Sequence, residues 1–233
     1  MITTSHLPES RDVASSAFDK LYRVDVAKHP ACHPSVTSKQ KRLIDILGAV
    51  VGLAIAATIT IPVAIAMQLD NPGPVFYRQI RCGLNGRKFR IWKFRSMVVG
   101  ADKLKHLVNN QAKGHIFKNE NDPRITRVGK FLRRTSLDEF PQFWNVLMGD
   151  MSLVGTRPPT VDEVMRYDDR HWERLNVKPG ITGEWQANGR SSVQDFEDIV
   201  RMDINYQHKW SVTYDLSLIL KTVMAVVNKK GAC

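Results

Sequence analysis

The sequence predicts an α+β protein that is mostly helical and carries one membrane helix near its N-terminus. Three observations lead to this fold class. An apolar run without charged residues extends from Ile46 to Leu69, longer than the roughly 18 residues that mark a transmembrane segment. Two strand-like runs flank an Asn-Gly turn and predict a small β-hairpin. Aromatic and basic residues at helical spacing after the hairpin are typical of amphipathic helices at a membrane interface.

Composition narrows the class of partner but does not select one. The chain has 233 residues, of which 34 are basic and 23 acidic, so its formal net charge is +11. A strongly basic protein usually binds an anion, such as nucleic acid, an acidic lipid surface or a phosphorylated substrate. The three cysteines, Cys32, Cys82 and Cys233, are widely spaced and predict neither a disulfide framework nor a zinc site.

We expect three regions along the chain. Residues 1–38 are polar and mixed, and we interpret them as an N-terminal tail without a cleaved signal peptide. Residues 39–70 form the membrane helix. Residues 71–233 begin with a turn cluster of asparagine, proline and glycine and form a cytoplasmic or interfacial domain.

The membrane helix has two interpretations because Pro62 lies well inside it. A proline there removes a backbone hydrogen bond and bends the helix. Basic residues flank the run, with Lys41 and Arg42 before it and Arg78 and Arg81 after it. The positive-inside rule places both clusters on the cytoplasmic face, which a helix that enters, breaks near Pro62 and returns would satisfy. A kinked helix that crosses the bilayer is the alternative, and these residues do not decide between the two.

Turn signals and hydrophobic spacing define the elements after the membrane helix. Strands are expected at Val75–Arg78 and Lys88–Phe94, around a turn at Cys82–Gly86. Helical spacing predicts helices at Met97–Gln111, Val128–Met148, Val161–Asn176, Asp195–Trp210 and Asp215–Asn228.

One short segment holds the strongest candidates for chemistry. Asp138 and Glu139 are adjacent carboxylates that follow a pair of arginines, of which Arg133 is the first. Carboxylates can attack phosphorus or hold a divalent metal, and arginines neutralise phosphate oxygens. Ser136 and Glu139 also have the spacing of a helix capping box, which spacing alone favours. A helix that begins near Pro141 is the alternative, and it would leave both carboxylates just before its positive end.

Single residues elsewhere are weak candidates by themselves. Arg157 and Arg190 lie in loops marked by glycine or proline, where an exposed arginine is usually only solvated. Asp203 and Asp215 are isolated carboxylates in predicted helices, and Asp215 has the position of a helix cap.

Taken in order, these motifs are more specific than any one of them. They are the apolar run with its internal proline, Asn71–Gln79, Lys93–Met97, Asn121–Thr126, Arg133–Gln142, Gly149–Gly155, Lys178–Gly183 and Asn188–Arg190. This order strongly resembles the bacterial sugar transferase family, the monotopic phosphoglycosyl transferases. The resemblance covers the chain from Lys39 to its C-terminus.

The resemblance implies an enzyme that moves a sugar-1-phosphate from a UDP-sugar to polyprenyl phosphate, usually undecaprenyl phosphate, and releases UMP. It implies Mg²⁺ as a cofactor and a covalent intermediate on Asp138, with Glu139 in metal binding or proton transfer. It also implies a re-entrant membrane helix with a break near Pro62 and both ends in the cytoplasm. Residues 71–233 would then be a catalytic domain on the cytoplasmic face of the bacterial inner membrane.

The expected site combines residues matched to the family with the isolated carboxylate Asp203. We expect substrate binding by Lys93, Arg133, Arg157, Arg190 and Asp203, and metal binding by Asp138, Glu139 and Asp215. Expected partners are a UDP-sugar, undecaprenyl phosphate and membrane lipids, with no nucleic acid. A homodimer is left open.

Two departures from the family pattern affect these expectations. Ile61 precedes the membrane proline where many relatives have serine, and Thr156 replaces the first proline of the common Gly-Pro-Arg-Pro loop. The C-terminal segment looks like the exopolysaccharide branch, which often uses UDP-glucose or UDP-galactose. The competing interpretation is a basic, membrane-anchored module that binds anionic lipid or nucleic acid. It predicts that Asp138 and Glu139 can be replaced without loss of function.

Overall fold

The computed structural model describes residues 32–189, 193 and 195–227, and this part of the chain is mostly helical. Its α-helices are α1 (Pro34–Thr37), α2 (Lys39–Asp70), α3 (Arg127–Thr135), α4 (Gln142–Met148), α5 (Val161–Val164), α6 (Asp169–Trp172), α7 (Glu184–Gly189), α8 (Phe196–Lys209) and α9 (Val212–Val227). Its strands are β1 (Phe76–Cys82), β2 (Lys88–Phe94), β3 (Ser152–Val154) and β4 (Gly180–Thr182). The predicted α+β class is confirmed in its mostly helical content, its small hairpin and its one long apolar helix. Residues 1–31 of the predicted tail lie outside the described residues.

The predicted hairpin is confirmed as β1 and β2, which pair in antiparallel register with Phe76 opposite Phe94. Asn85 (φ 51°) and Gly86 (φ 76°) take left-handed backbone conformations at its turn, which asparagine and glycine adopt most readily. A second pair, β3 with β4, is parallel. The sequence did not predict this pair, because two three-residue strands far apart in the chain give no local alternation to detect.

Among the described residues, α2 alone is long and apolar enough to cross a membrane, judged by length and composition. One face of α2 is buried at helical spacing through Lys41, Asp45, Ala49, Gly52, Ala56, Val63 and Met67. The opposite face exposes the large apolar side chains of Leu43, Leu47, Val51, Ile55, Ile61, Ile65 and Leu69. An exposed apolar face of this extent is typical of a surface that contacts lipid or another protein.

Polar contacts fix both ends of α2 to the same folded unit. Near its N-terminus, the Arg42 guanidinium donates to the carbonyls of Val146 and Leu147, both at 2.7 Å. At its C-terminal end, the Asp70 carboxylate accepts a 2.9 Å hydrogen bond from the Val128 amide at the start of α3. The two ends of the longest apolar helix therefore contact one body.

Helix α2 is continuous through Pro62, whereas the sequence predicted a break there. A proline removes one backbone donor and bends a helix, but the flanking turns can continue. The Thr60 hydroxyl donates to the Ala56 carbonyl at 2.6 Å, and the Thr58 hydroxyl donates to the Ile55 carbonyl at 2.8 Å. Both threonines thus bond to the turn that precedes the proline.

The single helix predicted over Val128–Met148 is instead two helices, α3 and α4. Ser136 ends α3 in a left-handed conformation (φ 59°), and its amide donates back to the Arg133 carbonyl. Pro141 precedes α4, so that helix begins where the proline alternative placed it. The capping-box interpretation of Ser136 was wrong, because its side chain makes no cap bond to the turn that follows.

Two other predicted helices are shorter and interrupted. Within Met97–Gln111 the chain forms only a short 3₁₀ segment after Gly100, which has φ 79°. Val161–Asn176 divides into α5, α6 and a 3₁₀ turn, because capping boxes at Thr160 and Asp168 each start a new helix. The last two predicted helices agree with α8 and α9 to within one turn at each end.

Candidate active site

A 3₁₀ turn, Leu137–Glu139, joins α3 to α4 and carries the two candidate carboxylates. Asp138 is only 6% exposed. Glu139 accepts a 2.8 Å hydrogen bond from the Lys93 ammonium on β2. The left-handed residue Ser136 makes this sharp turn possible, and non-glycine residues in that conformation cost energy and concentrate at functional sites.

Arg133 lies in the last turn of α3, just before the carboxylates. Its Nε atom donates to the Ser96 hydroxyl at 2.9 Å, which fixes the guanidinium beside the end of β2. Arg133, Asp138, Lys93 and Arg157 line one cavity of about 420 Å³. Another cavity adjoins the first and is lined by the same four residues together with Glu139. The structure therefore brings together most of the residues that the sequence selected.

Arg81 on β1 is a further cation of this cavity. Its position in the sequence had indicated only that it belongs to the basic residues flanking the membrane helix. Its guanidinium donates to the Pro158 carbonyl at 2.9 Å, directly after Arg157. Burial and the nearby Arg157 charge lower the pKa of Arg81 to about 10. The period of the strand could have identified it, because Tyr77, Gln79 and Arg81 alternate along β1 and all line the cavity.

Glu163 partly balances these guanidiniums. Its Oε2 atom accepts a hydrogen bond from Arg157 at 3.3 Å, and it closes the capping box of α5 with Thr160. Burial alone would raise the pKa of the Glu163 carboxyl, but the charges of Arg157 and Arg81 hold that pKa below its ordinary value. Three arginines and a lysine around an acidic turn form a site that can neutralise a polyphosphate.

Two carboxylates that were assigned to the site lie elsewhere. Asp203 is 1% exposed and accepts a 2.8 Å hydrogen bond from the buried Arg174 guanidinium. Asp215 is 3% exposed and accepts from the Lys41 ammonium and from the Tyr206 hydroxyl. Neither lines the cavity around the carboxylate turn. The structure thus places both carboxylates in buried ion pairs, and their expected roles in substrate and metal binding stay predictions.

Arg190 lies outside the described residues, so its expected contact with substrate is not placed. In the part of the chain that the structure describes, no three or more His, Cys, Asp or Glu side chains come together as a metal site. Mg²⁺ usually binds through one or two carboxylates and completes its shell with substrate phosphates and water. Asp138 and Glu139 form a carboxylate pair of that size, so they fit a magnesium ion that arrives with a diphosphate.

Comparison with known proteins decides the family. The model of the bacterial sugar transferase family matches residues 36–229. The chain belongs to this family. The chain is 51% identical over 194 residues to the galactosyl transferase CpsE of Streptococcus agalactiae serotype III, a match that covers 82% of the chain and 43% of the relative.

Two further relatives show the range of lengths. The UDP-glucose:undecaprenyl-phosphate glucose-1-phosphate transferase of Escherichia coli K12 is 43% identical over 198 residues, which cover 81% of the sugar transferase and 40% of the relative. The exopolysaccharide production protein ExoY of Rhizobium meliloti is 37% identical over 198 residues, which cover 82% of the chain and 87% of the relative. The chain thus spans less than half of the first two relatives and most of the third.

Proposed function

We propose that this sugar transferase moves a sugar-1-phosphate from a UDP-sugar to undecaprenyl phosphate, releases UMP and so begins the synthesis of an exopolysaccharide or related glycan. The observation that carries the proposal is the meeting of Asp138 with Lys93, Arg133 and Arg157 at one cavity. The E. coli relative is named for transfer of glucose-1-phosphate to undecaprenyl phosphate, and ExoY is named for exopolysaccharide production.

The reaction proceeds in two displacements at one phosphorus. An Asp138 oxygen attacks the β-phosphorus of the UDP-sugar, and the bond from that phosphorus to the bridging oxygen breaks. UMP leaves with the electron pair. An oxygen of the lipid phosphate then attacks the same phosphorus, and the bond to Asp138 breaks to regenerate the carboxylate. Arg133 and Arg157 neutralise the phosphate oxygens while charge redistributes.

We assign Mg²⁺ binding to the same turn. Asp138 and Glu139 would hold the ion together with the substrate diphosphate, and the ion would neutralise charge on the departing UMP. Lys93 donates to Glu139 at 2.8 Å and orients this carboxylate toward the cavity. Asp215 takes no part in this set, because its oxygens accept hydrogen bonds within a buried ion pair.

An apolar groove offers the lipid acceptor a route to the carboxylate turn. The groove has a volume of about 390 Å³ and is lined by Leu53, Ala56, Ala57, Thr60, Phe76, Trp92, Phe94, Pro141 and Trp144. Phe76 and Phe94 line both this groove and the cavity around Asp138, so the two spaces adjoin. A polyprenyl chain is favoured in such a groove because it removes apolar surface from water.

We propose that α2 is re-entrant and that the catalytic domain lies on the cytoplasmic face of the inner membrane. Arg42 and Asp70, near the two ends of α2, both bond to the same folded unit, and a helix crossing the bilayer would separate its ends by about 30 Å of hydrocarbon. The exposed apolar face of α2 then contacts lipid.

Release of UMP tests the proposed function. The purified full chain, undecaprenyl phosphate and Mg²⁺ are mixed with one UDP-sugar at a time, and UMP is measured. We expect release with at least UDP-glucose or UDP-galactose, and loss of release when a chelator removes Mg²⁺. Absence of UMP with every UDP-sugar of the panel would contradict the proposal, and turnover in the presence of the chelator would contradict the magnesium assignment.

Labelling of single cysteines tests the topology of α2. In a variant without Cys32, Cys82 and Cys233, one cysteine is placed at Lys39 or at Pro72, which are both exposed at the ends of the helix. In intact spheroplasts we expect a membrane-impermeant maleimide to label neither position, and to label both once the membrane is permeabilised. Labelling of one position in intact spheroplasts would show that α2 crosses the bilayer.

A further inference from the structure

We propose that Gln142, Trp185 and Gln186 form the subsite that binds the hexose of the UDP-sugar. This inference rests on the proposed function and concerns a second cavity, with a volume of about 430 Å³. The cavity shares Lys93 and Arg157 with the cavity around Asp138, so the two spaces meet at the cations that would hold the phosphates.

Three buried polar atoms around this second cavity lack a partner. Gln142 Nε2, Trp185 Nε1 and Gln186 Oε1 are buried and have no hydrogen-bond partner among the described residues. Gln142 as a whole is only 2% exposed, and all three residues line the cavity. A buried polar group without a partner is costly, so three of them around one cavity indicate a polar ligand.

The chemistry of the three atoms matches sugar hydroxyls. The Gln142 and Trp185 nitrogens donate hydrogen bonds and the Gln186 oxygen accepts one, and a hydroxyl group can do both. The indole of Trp185 also provides a flat apolar face for the C–H side of a pyranose ring. A polyprenyl tail has no hydrogen-bond donor or acceptor, so it would leave all three buried atoms without a partner.

The position of the three residues agrees with the covalent structure of the donor. In a UDP-sugar the hexose is attached directly to the β-phosphate, so its subsite must adjoin the groups that bind that phosphate. The Arg157 guanidinium carbon lies 6.0 Å from the centre of the Trp185 ring, close enough for a cation–π contact. Gln142 shortly follows Asp138, on the first turn of α4. Phosphate and hexose sites are thus contiguous.

Binding measurements on a chain that cannot turn over test the subsite. In the Asp138→Asn background, the affinity of UDP-glucose, UDP-galactose and UMP is measured by calorimetry for Trp185→Phe, Gln142→Met and Gln186→Met. We expect each substitution to weaken the preferred UDP-sugar roughly 10-fold, the effect of one lost hydrogen bond in a buried site, and to leave UMP binding unchanged. For each variant, one deoxy analogue of the UDP-sugar should have the same affinity for the variant as for the unsubstituted chain. That analogue lacks the hydroxyl that bonds to the group removed by the substitution, so the substitution costs it no hydrogen bond.

The matched control is Gln207→Met on α8, where the side-chain amide donates to the Glu173 carbonyl at 2.9 Å, and it should change neither affinity. Equal weakening of UMP and UDP-sugar, or no weakening, would overturn the subsite. So would an effect confined to undecaprenyl phosphate, which would assign the cavity to lipid. If Gln142→Met does not fold, Gln142→Glu, which replaces the donor by an acceptor, gives the same comparison. UMP release by the wild-type chain separates failure of the subsite from failure of the proposed function. If the wild-type chain releases no UMP, the proposed function is contradicted. If it releases UMP but the variants bind the UDP-sugar with unchanged affinity, only the subsite is contradicted.

Discussion

Replacing Asp138 by asparagine should lower the rate of UMP release by at least about 10⁴-fold, the scale of loss when a covalent nucleophile is removed. The amide keeps the size of a side chain that is 6% exposed, so the cavity should keep its shape, but it lacks the anionic oxygen that the proposed attack on phosphorus requires. The measurement is UMP release together with trapping. Wild-type chain incubated with labelled UDP-sugar in the absence of lipid should retain the sugar phosphate covalently after denaturation, and the variant should retain none.

The control is Asp198→Asn, which removes a carboxylate of the same size from the surface of α8. Asp198 has a 46% exposed side chain and pairs with Arg201 at 2.8 Å, and exposed pairs contribute at most about 1 kcal/mol to stability. Its rate and labelling should match those of the wild type. Normal release by the Asp138→Asn chain, or label mapped by mass spectrometry to Glu139, would remove Asp138 as the nucleophile. Tolerance of both carboxylate changes would instead favour the binding-module interpretation.

Replacing Asp215 by alanine should lower the stability of the chain by about 3 to 5 kcal/mol, because it leaves the buried Lys41 ammonium without its partner. The two side chains are 4% and 6% exposed, and Asp215 also accepts from the hydroxyl of Tyr206 at 2.8 Å. For a chain of this length the loss corresponds to a melting temperature lower by roughly 10 °C. Tryptophan fluorescence during heating in lipid nanodiscs measures it.

The double variant Lys41→Met, Asp215→Leu is the matched control for this pair. It removes both charges and should recover part of the lost stability. The Mg²⁺ concentration needed for UMP release should be the same in the folded Asp215→Ala chain as in the wild type. An unchanged melting temperature with a higher Mg²⁺ requirement would instead return Asp215 to the metal site.

Sequence patterns within a single segment were enough to predict the hairpin and helix α2. The hairpin was predicted because the Asn85–Gly86 turn requires left-handed backbone that few residues adopt, and α2 was predicted because no charged residue interrupts its apolar run. The bend at Ser136 was missed, since serine carries no signal for a left-handed helix end. The interruption at Asp168 was also missed, because helical spacing continued across this second cap.

Prediction of the candidate site depended on contacts between distant residues. Spacing around Asp138 favoured a helix cap, and the order of motifs along the chain favoured a reactive turn instead. Asp203 was assigned to substrate because nothing near it in sequence announces its partner, Arg174, which lies 29 residues earlier. Arg81 was not predicted as a site residue, because its position near the membrane helix was itself sufficient to account for a basic residue.

The attachment of both ends of α2 to one body has an energetic consequence for the proposed lipid acceptor. Each CH₂ moved from hydrocarbon to water costs about 0.8 kcal/mol, so extracting a tail of tens of carbons would cost on the order of tens of kcal/mol. Because the apolar groove shares Phe76 and Phe94 with the cavity around Asp138, the proposed acceptor would keep its tail in hydrocarbon while its phosphate enters that cavity. In the proposed reaction the acceptor would arrive by diffusion within the membrane plane and the donor by diffusion through the aqueous phase, and both would meet at Asp138.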